Sequence, residues 1–350
     1  MSGLDGSAGA VGASGAAATD AAPLALVVGG SRGLGLAAAR RLADRGYRLV
    51  LTARNAEDLE LAADQLRADG ATVEVQACDV RDEAGIEALV ELVEEESGPI
   101  EVLLHVAGVI QVGPLAALNR EDFREAIDIM LWGPINTTLA VTPRMVRRGR
   151  GRVGIVTSVG GLIPAPHLLP YSTAKFGATG YSRGLRSELA GTGVTVTTVE
   201  PGLMRTGSHL NAQFVGDQGP EFAWFSAADN IPLVSMDANR AAAHIVDAVL
   251  VGRAVIQPTP LAKVAQRVDA LAPNVTSLFL GAVTRLLPAA PPESTTVHEK
   301  IPGHVAQSRL QPRNRTRMSW ITALGRNAAR RLNQTTRDTS EVSPEPPVMS

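Results

Sequence analysis

One cysteine, three lysines and very few aromatic side chains bound what this 350-residue chain can be. The lone Cys78 excludes an internal disulfide and fits a reducing compartment, so a cytoplasmic protein is expected. Aromatic residues make up 3% of a chain that is 45% apolar, so Ala, Val and Leu must fill most of any core. No run of about 18 uninterrupted apolar residues occurs, which excludes a spanning helix. Residues 1–22 are mainly Gly, Ala and Ser without a basic residue, broken by Asp5 and Asp20. They lack the cationic start and apolar stretch of a signal peptide and read as a disordered tail. A formal net charge of −2 argues against general affinity for nucleic acid or acidic membranes.

From Leu24 onward, short apolar runs alternate with amphipathic stretches. The strand-like runs are Leu24–Val28, Tyr47–Thr52, Thr72–Ala77, Ile100–His105, Arg152–Thr157, Gly193–Val199 and Arg253–Gln257. Helical patterns cover Leu34–Arg45, Ala56–Asp69, Asp82–Glu96, Arg120–Arg147 and Ser172–Ala190, with Gly46 and Gly70 at C-terminal cap positions. Nearly all-apolar strands, each followed by a helix, predict an α/β doubly wound (Rossmann) parallel sheet of about seven strands. Ligands of such a sheet sit at the carboxyl ends of its strands. The alternation stops near Pro258, which sets a catalytic domain at 23–258. Residues 259–287 read as a helical extension broken at Pro273, and 288–350 as a linker and Arg-rich, largely disordered tail.

The first strand runs into a turn with Gly29, Gly33 and Gly35 at the spacing G-x-x-x-G-x-G, then an Ala/Leu helix. Glycine lets the backbone approach a pyrophosphate, and the free N–H groups at the helix start bind the anion. Gly29, Ser31, Arg32, Gly33, Leu34 and Gly35 are therefore candidate dinucleotide contacts. The second strand ends Thr52-Ala53-Arg54, without the carboxylate that a free ribose 2′-OH usually meets. Arg54 and Arg32 offer cations for a 2′-phosphate instead, which favours NADP(H) over NAD(H). Asp79 and Val80, after the third strand, are placed to meet the adenine edge, Asp79 alternatively being a plain helix N-terminal carboxylate.

Tyr171 and Lys175 stand four apart, so on a helix their side chains point into one cleft. Lysine is otherwise confined to Lys263 and Lys300. Bringing a tyrosine from about pKa 10 to about 7 costs about 4 kcal/mol, and a fixed ammonium nearby can supply much of that. Taken together, these motifs resemble the classical short-chain dehydrogenase/reductases over about residues 24–258. The resemblance matches the family's Tyr-x-x-x-Lys to Tyr171 and Lys175, its catalytic serine to Ser158, and its Pro-Gly to Pro201-Gly202 with Thr206 following. It implies hydride transfer between a nicotinamide cofactor and a carbonyl or alcohol. In that chemistry Ser158 holds the substrate oxygen, and Lys175 also reaches the nicotinamide ribose. Two departures stand out. The family's Asn-Asn-Ala-Gly is His105-Val106-Ala107-Gly108 here, keeping the cofactor-facing Ala107 and Gly108, and its fourth catalytic residue, an asparagine, aligns with Met130.

Residues 203–236 form the expected substrate segment, where Phe214, Phe222, Trp224 and Phe225 either line an apolar pocket with Leu168 and Leu169 or pack extra helices onto the core. His167 and His209 fall nearby. In the tail, Trp320, Leu324, Ala328 and Leu332 recur every fourth residue, a stripe that packs on its own domain or a partner subunit, or touches a membrane surface weakly. The resemblance implies a homodimer or homotetramer built on the helices at 120–147 and 172–190, with Ala174, Gly177, Ala178 and Gly184 permitting close approach. The expected function is thus an NADP(H)-preferring oxidoreductase acting on a small, apolar carbonyl or alcohol, with no metal. The rival reading, raised by Met130 and the lost asparagines, is a catalytically weak dinucleotide-binding protein that regulates or scaffolds.

Overall fold

A strand covered on both faces has no need of alternation, and Leu24–Val28 (β1) is buried at every position. The computed structural model describes residues 22–230, 235–290, 298–310 and 328–334. The expected N-terminal tail and most of the Trp320–Leu332 stripe lie outside them. After β1 come Arg48–Ala53 (β2), Val73–Ala77 (β3), Ile100–His105 (β4), Gln111–Val112 (β5), Gly151–Val156 (β6), Val194–Val199 (β7), Met204–Arg205 (β8), Gln213–Phe214 (β9), Met236–Asp237 (β10), Val255–Ile256 (β11) and Ile301–Pro302 (β12). The helices are Gly33–Asp44 (α1), Ala56–Ala68 (α2), Glu83–Glu96 (α3), Arg120–Ile127 (α4), Gly133–Arg148 (α5), Leu169–Glu188 (α6), Gln218–Asn230 (α7), Ala238–Leu250 (α8), Pro260–Leu271 (α9), Pro273–Thr284 (α10) and Gly303–Ser308 (α11).

Seven strands form one parallel sheet in the order β11-β7-β6-β4-β1-β2-β3. One face is covered by α1, α2 and α8 through Leu36, Leu42, Leu59, Leu66 and Ile245. The other is covered by α3, α5 and α6 through Ile86, Val90, Val141 and Ala174. Alanines at 38, 39, 241 and 242 fill the first layer, so small side chains replace the scarce aromatics there. The chain winds one way from β1 to β2 and the other way from β1 to β4, and a crevice opens at that switch point.

One expectation is refined and one corrected. The helical pattern over Arg120–Arg147 is interrupted just upstream of Gly133-Pro134, where proline already marks an irregularity, by a π-helical turn at Asp128–Trp132. Pro134 has no N–H to return to the carbonyl four residues back, at Met130, and the N–H of Gly133 reaches five residues back to Asp128. The expected tail also contains structure that belongs to the body. Ile301 pairs with Phe214 across β12 and β9, and Ile301, Ala306 and Leu310 are buried against Phe214 and Phe222. Lys300 pins this segment to α4 through Asp122 and Glu125 at 3.1 and 3.0 Å. In the helical extension Pro273 opens α10, a position where its missing N–H costs nothing.

Candidate active site

The loops that follow β1 and β4 meet at the switch point. Val106 and Ala107 both donate their N–H to Val28 O, at 2.8 and 3.1 Å. Gly29 (φ +84°) lies so close beneath that a Cβ there would fall 2.6 Å from Ala107 N. A Cβ on Gly35 would fall 2.0 Å from Gly29 O, so this glycine lets α1 start directly over β1. Both contacts are between backbones, so no rotamer change relieves them.

Around that turn the sequence-predicted cofactor residues converge in part. Ser31, Gly33, Leu34 and Gly35 are buried at the start of α1. Thr206 faces Gly33, its hydroxyl oxygen accepting from Ser208 N at 3.1 Å. Pro201 and Gly202 close the far wall: Val159 N donates to Pro201 O at 2.8 Å, and Gly202 N to Thr259 Oγ1 at 3.2 Å. Arg54 is exposed and has no ion pair among the described residues. Arg32, by contrast, donates to Asn211 Oδ1 at 3.1 Å and stands 3.8 Å from Asp58. Asp79 is not the helix cap that its position also allowed, since Asp82 caps α3 by accepting from Gly85 N. Instead Asp79 is clamped by Arg81, whose hydrogen bonds hold its carboxyl below the ordinary carboxylate range. Val80 is buried, and its carbonyl accepts from Asn136 Nδ2 at 3.1 Å.

The structure brings Ser158, Tyr171 and Lys175 together at the carboxyl end of β6. Ser158 Oγ accepts from Gly160 N at 3.0 Å and is hydrogen-bonded to the Tyr171 hydroxyl. Lys175 Nζ stands 5.9 Å from the Tyr171 ring centre and donates to Val156 O at 2.8 Å. The ammonium is 4% exposed, and burial pushes its pKa down to about 8. Burial pushes the Tyr171 hydroxyl up, against the opposing hydrogen bond from Ser158. The tyrosine that Lys175 was expected to acidify is therefore a neutral phenol here, because desolvation of the phenolate dominates. Met130 is buried beside Gly108, close to the lysine. His105 is buried with Nδ1 3.4 Å from Thr137 Oγ1, and desolvation, with the Lys175 charge adding, lowers its pKa to about 3. It is a neutral histidine packed at the end of β4.

Beyond Tyr171 the substrate segment forms its own small core. Phe214 packs edge-on to Phe222 and Phe225 with ring centres 5.6 and 5.9 Å apart, and all three are buried. Of the two readings of these aromatics, packing describes the phenylalanines. A cavity of about 400 Å³ lies beside them, lined by Leu115, Ala165, His167 and Leu169 and by Thr276 and Leu280 of α10. Sequence reasoning found the two histidines here without their partners. His167, with φ +60°, has Nδ1 2.8 Å from Glu221, which also accepts from Trp224 Nε1, and His209 Nδ1 lies 3.2 Å from Asp229. It missed Asn211, Asn333 and Gln334 altogether. These meet over the glycine turn from points more than 100 residues apart, and no local pattern marks them.

The donor set fits a nicotinamide dinucleotide: a helix start, a serine and arginines for phosphates, and a buried ammonium with only one of its hydrogens engaged by Val156. Comparison with known proteins agrees. Residues 23–213 match the short chain dehydrogenase family. A candidate ketoacyl reductase of Streptomyces coelicolor is 39% identical over 54% of this chain and 73% of that protein. The 3-oxoacyl-[acyl-carrier-protein] reductase of Bos taurus is 36% identical over 51% of this chain and 75% of its own. Among solved structures, an actinorhodin polyketide ketoreductase variant with NADPH superposes at a TM-score of 0.60. It is 31% identical and covers 67% of this chain and 95% of that one.

Proposed function

Because the chain belongs to the short-chain dehydrogenase family, we propose that it is an NADP(H)-preferring oxidoreductase interconverting a carbonyl and an alcohol on an apolar small molecule. A ketoacyl compound is the first class to test, since several of the similar proteins carry the names of ketoacyl or oxoacyl reductases. The observation that carries the reading is the meeting of Ser158, Tyr171 and Lys175 at the mouth of the β1/β4 crevice.

When bound, the nicotinamide supplies or takes up hydride. Everything else is work for this chain. Gly160 N holds the Ser158 oxygen in place, so the hydroxyl proton that now faces Tyr171 can turn to the substrate oxygen. Tyr171, kept protonated by burial, is suited to give its hydroxyl proton to that oxygen as hydride reaches the carbonyl carbon. That protonation state suits reduction. Lys175, fixed by Val156 O, has hydrogens left for the ribose hydroxyls and charge to steady the phenolate that forms. Arg54, exposed and unpaired among the described residues, supports the preference for a 2′-phosphate.

The exposed Trp132, Leu139 and Phe176 on the outer sides of α5, α6 and the turn before them support a homo-oligomer. Ala174 and Ala178, however, are fully buried within the subunit, and a Cβ on Gly177 would press on Leu131 of the same chain. Of the small residues expected at that interface, only Gly184 faces outward. Screening 3-ketoacyl thioesters and apolar ketones while following NADPH absorbance tests the activity, and an inert wild type would favour the catalytically weak reading that Met130 raised.

A further inference from the structure

The last described segment, residues 328–334, lies on the glycine turn. A short helix at 328–331 buries Ala329 against Gly207. Leu332 follows, 1% exposed, in the core layer formed by α1, α2 and α8. Its carbonyl accepts the N–H of Gly33 at 2.7 Å. Gly33 is the first residue of α1, and its N–H is one of the free donors that such a helix start offers to an anion. Asn333 holds φ +51° and donates through Nδ2 to Ser31 O at 3.0 Å and Asp58 O at 3.3 Å. Gln334 comes next. Asn211 Nδ2 donates to its main-chain oxygen at 3.0 Å and to Oε1 at 2.5 Å, while Asn211 Oδ1 occupies Arg32. The Gln334 amide fills the space directly over Gly33, where even a Cβ would fall 2.4 Å from Nε2.

The polarity of these contacts decides their meaning. A segment completing a phosphate site would bring donors to it. Beside the Gln334 amide, this one sets an acceptor, the Leu332 carbonyl, at 2.7 Å on a donor that a pyrophosphate needs, and a carbonyl oxygen in that place repels the phosphate oxygens. We propose that residues 328–334 are an autoinhibitory strap that occupies the pyrophosphate seat at the start of α1 and must be displaced for the dinucleotide to bind. This rests on the cofactor reading above. Strap docking lowers apparent affinity by the fraction of molecules left open. Because the pyrophosphate is common to NADPH and NADH, the strap must weaken both by the same factor.

The test uses the full chain. Asn333→Ala removes both side-chain bonds and puts alanine at a positive φ that asparagine tolerates better. Leu332→Asp independently expels the strap from the core layer. Dissociation constants for NADPH and NADH are read by nicotinamide fluorescence, and hydrogen exchange of residues 328–334 is followed with and without NADPH. We expect both variants to bind both nucleotides at least ~10-fold more tightly, by one common factor. In wild type, NADPH should increase exchange in the strap. Unchanged or weaker affinity in the variants, or greater protection of 328–334 on adding NADPH, would overturn the strap while leaving the cofactor reading intact. Failure of wild type and both variants to bind either nucleotide would overturn both.

Discussion

Replacing Lys175 by methionine should abolish turnover and yet make the protein more stable. The reason is the burial of an ammonium that has, among the described residues, no counter-ion and a single hydrogen bond, to Val156 O. Its pKa falls from 10.5 to about 8, a drop worth about 3.4 kcal/mol at ~1.4 kcal/mol per pH unit. Methionine fills the same channel without charge, although it strands the Val156 carbonyl at a cost of about 1–3 kcal/mol. A net gain of about 0.5–2 kcal/mol at pH 7 is expected in urea unfolding. The pH dependence is the sharper test. Between pH 8 and 10.5 the unfolded lysine holds its proton while the folded one has released it, so wild-type stability rises with pH across that window relative to the variant. The variant's advantage should therefore shrink by about 1.3 kcal/mol from pH 7 to pH 9. An advantage that stays constant or grows with pH would refute the claim that Lys175 is a desolvated cation.

Four further outcomes follow from the same geometry. Tyr171→Phe should cut the rate at least ~100-fold while moving the NADPH dissociation constant less than ~3-fold, because the ring remains and only the proton donor is lost. Arg54→Asp should weaken NADPH at least ~10-fold relative to NADH, measured by titration of each nucleotide. Gly35→Ala should lower the urea midpoint severely or prevent folding, since its Cβ would fall 2.0 Å from Gly29 O. Met130→Asn should change the rate less than ~10-fold, whereas activity appearing only in this variant would reverse the choice between enzyme and scaffold.

Much of the sheet was legible because burial on both faces writes itself into sequence as unbroken apolar runs. "LALVV" is such a strand at the predicted place, and Gly46 and Gly70 do end their helices with φ of +83° and +90°. The Tyr171–Lys175 pair was legible for a similar reason, since helical spacing fixes its shared face. What escaped lacks local period. Gln111, Gln213 and Pro302 build a three-stranded sheet from two-residue strands nearly 200 residues apart. The π-turn is half legible: a proline at 134 marks a freed carbonyl at position 130, but not how far upstream the helix widens. The Tyr171 environment was legible in part, because helix spacing reveals the ammonium and says nothing of the burial that opposes acidification. Asn333 and Gln334 could not be found by any pattern, being ordinary polar residues whose partners at Ser31 and Asn211 exist only after folding.

The most direct test of the central claim is a single-turnover measurement. Enzyme preloaded with NADPH is mixed with a 3-ketoacyl thioester, and nicotinamide absorbance and alcohol product are followed together. The account predicts one alcohol formed per NADPH consumed in wild type, a burst lost in Tyr171→Phe, and unchanged NADPH occupancy in both. Stable NADPH occupancy in wild type without oxidation by any thioester or apolar ketone would contradict it.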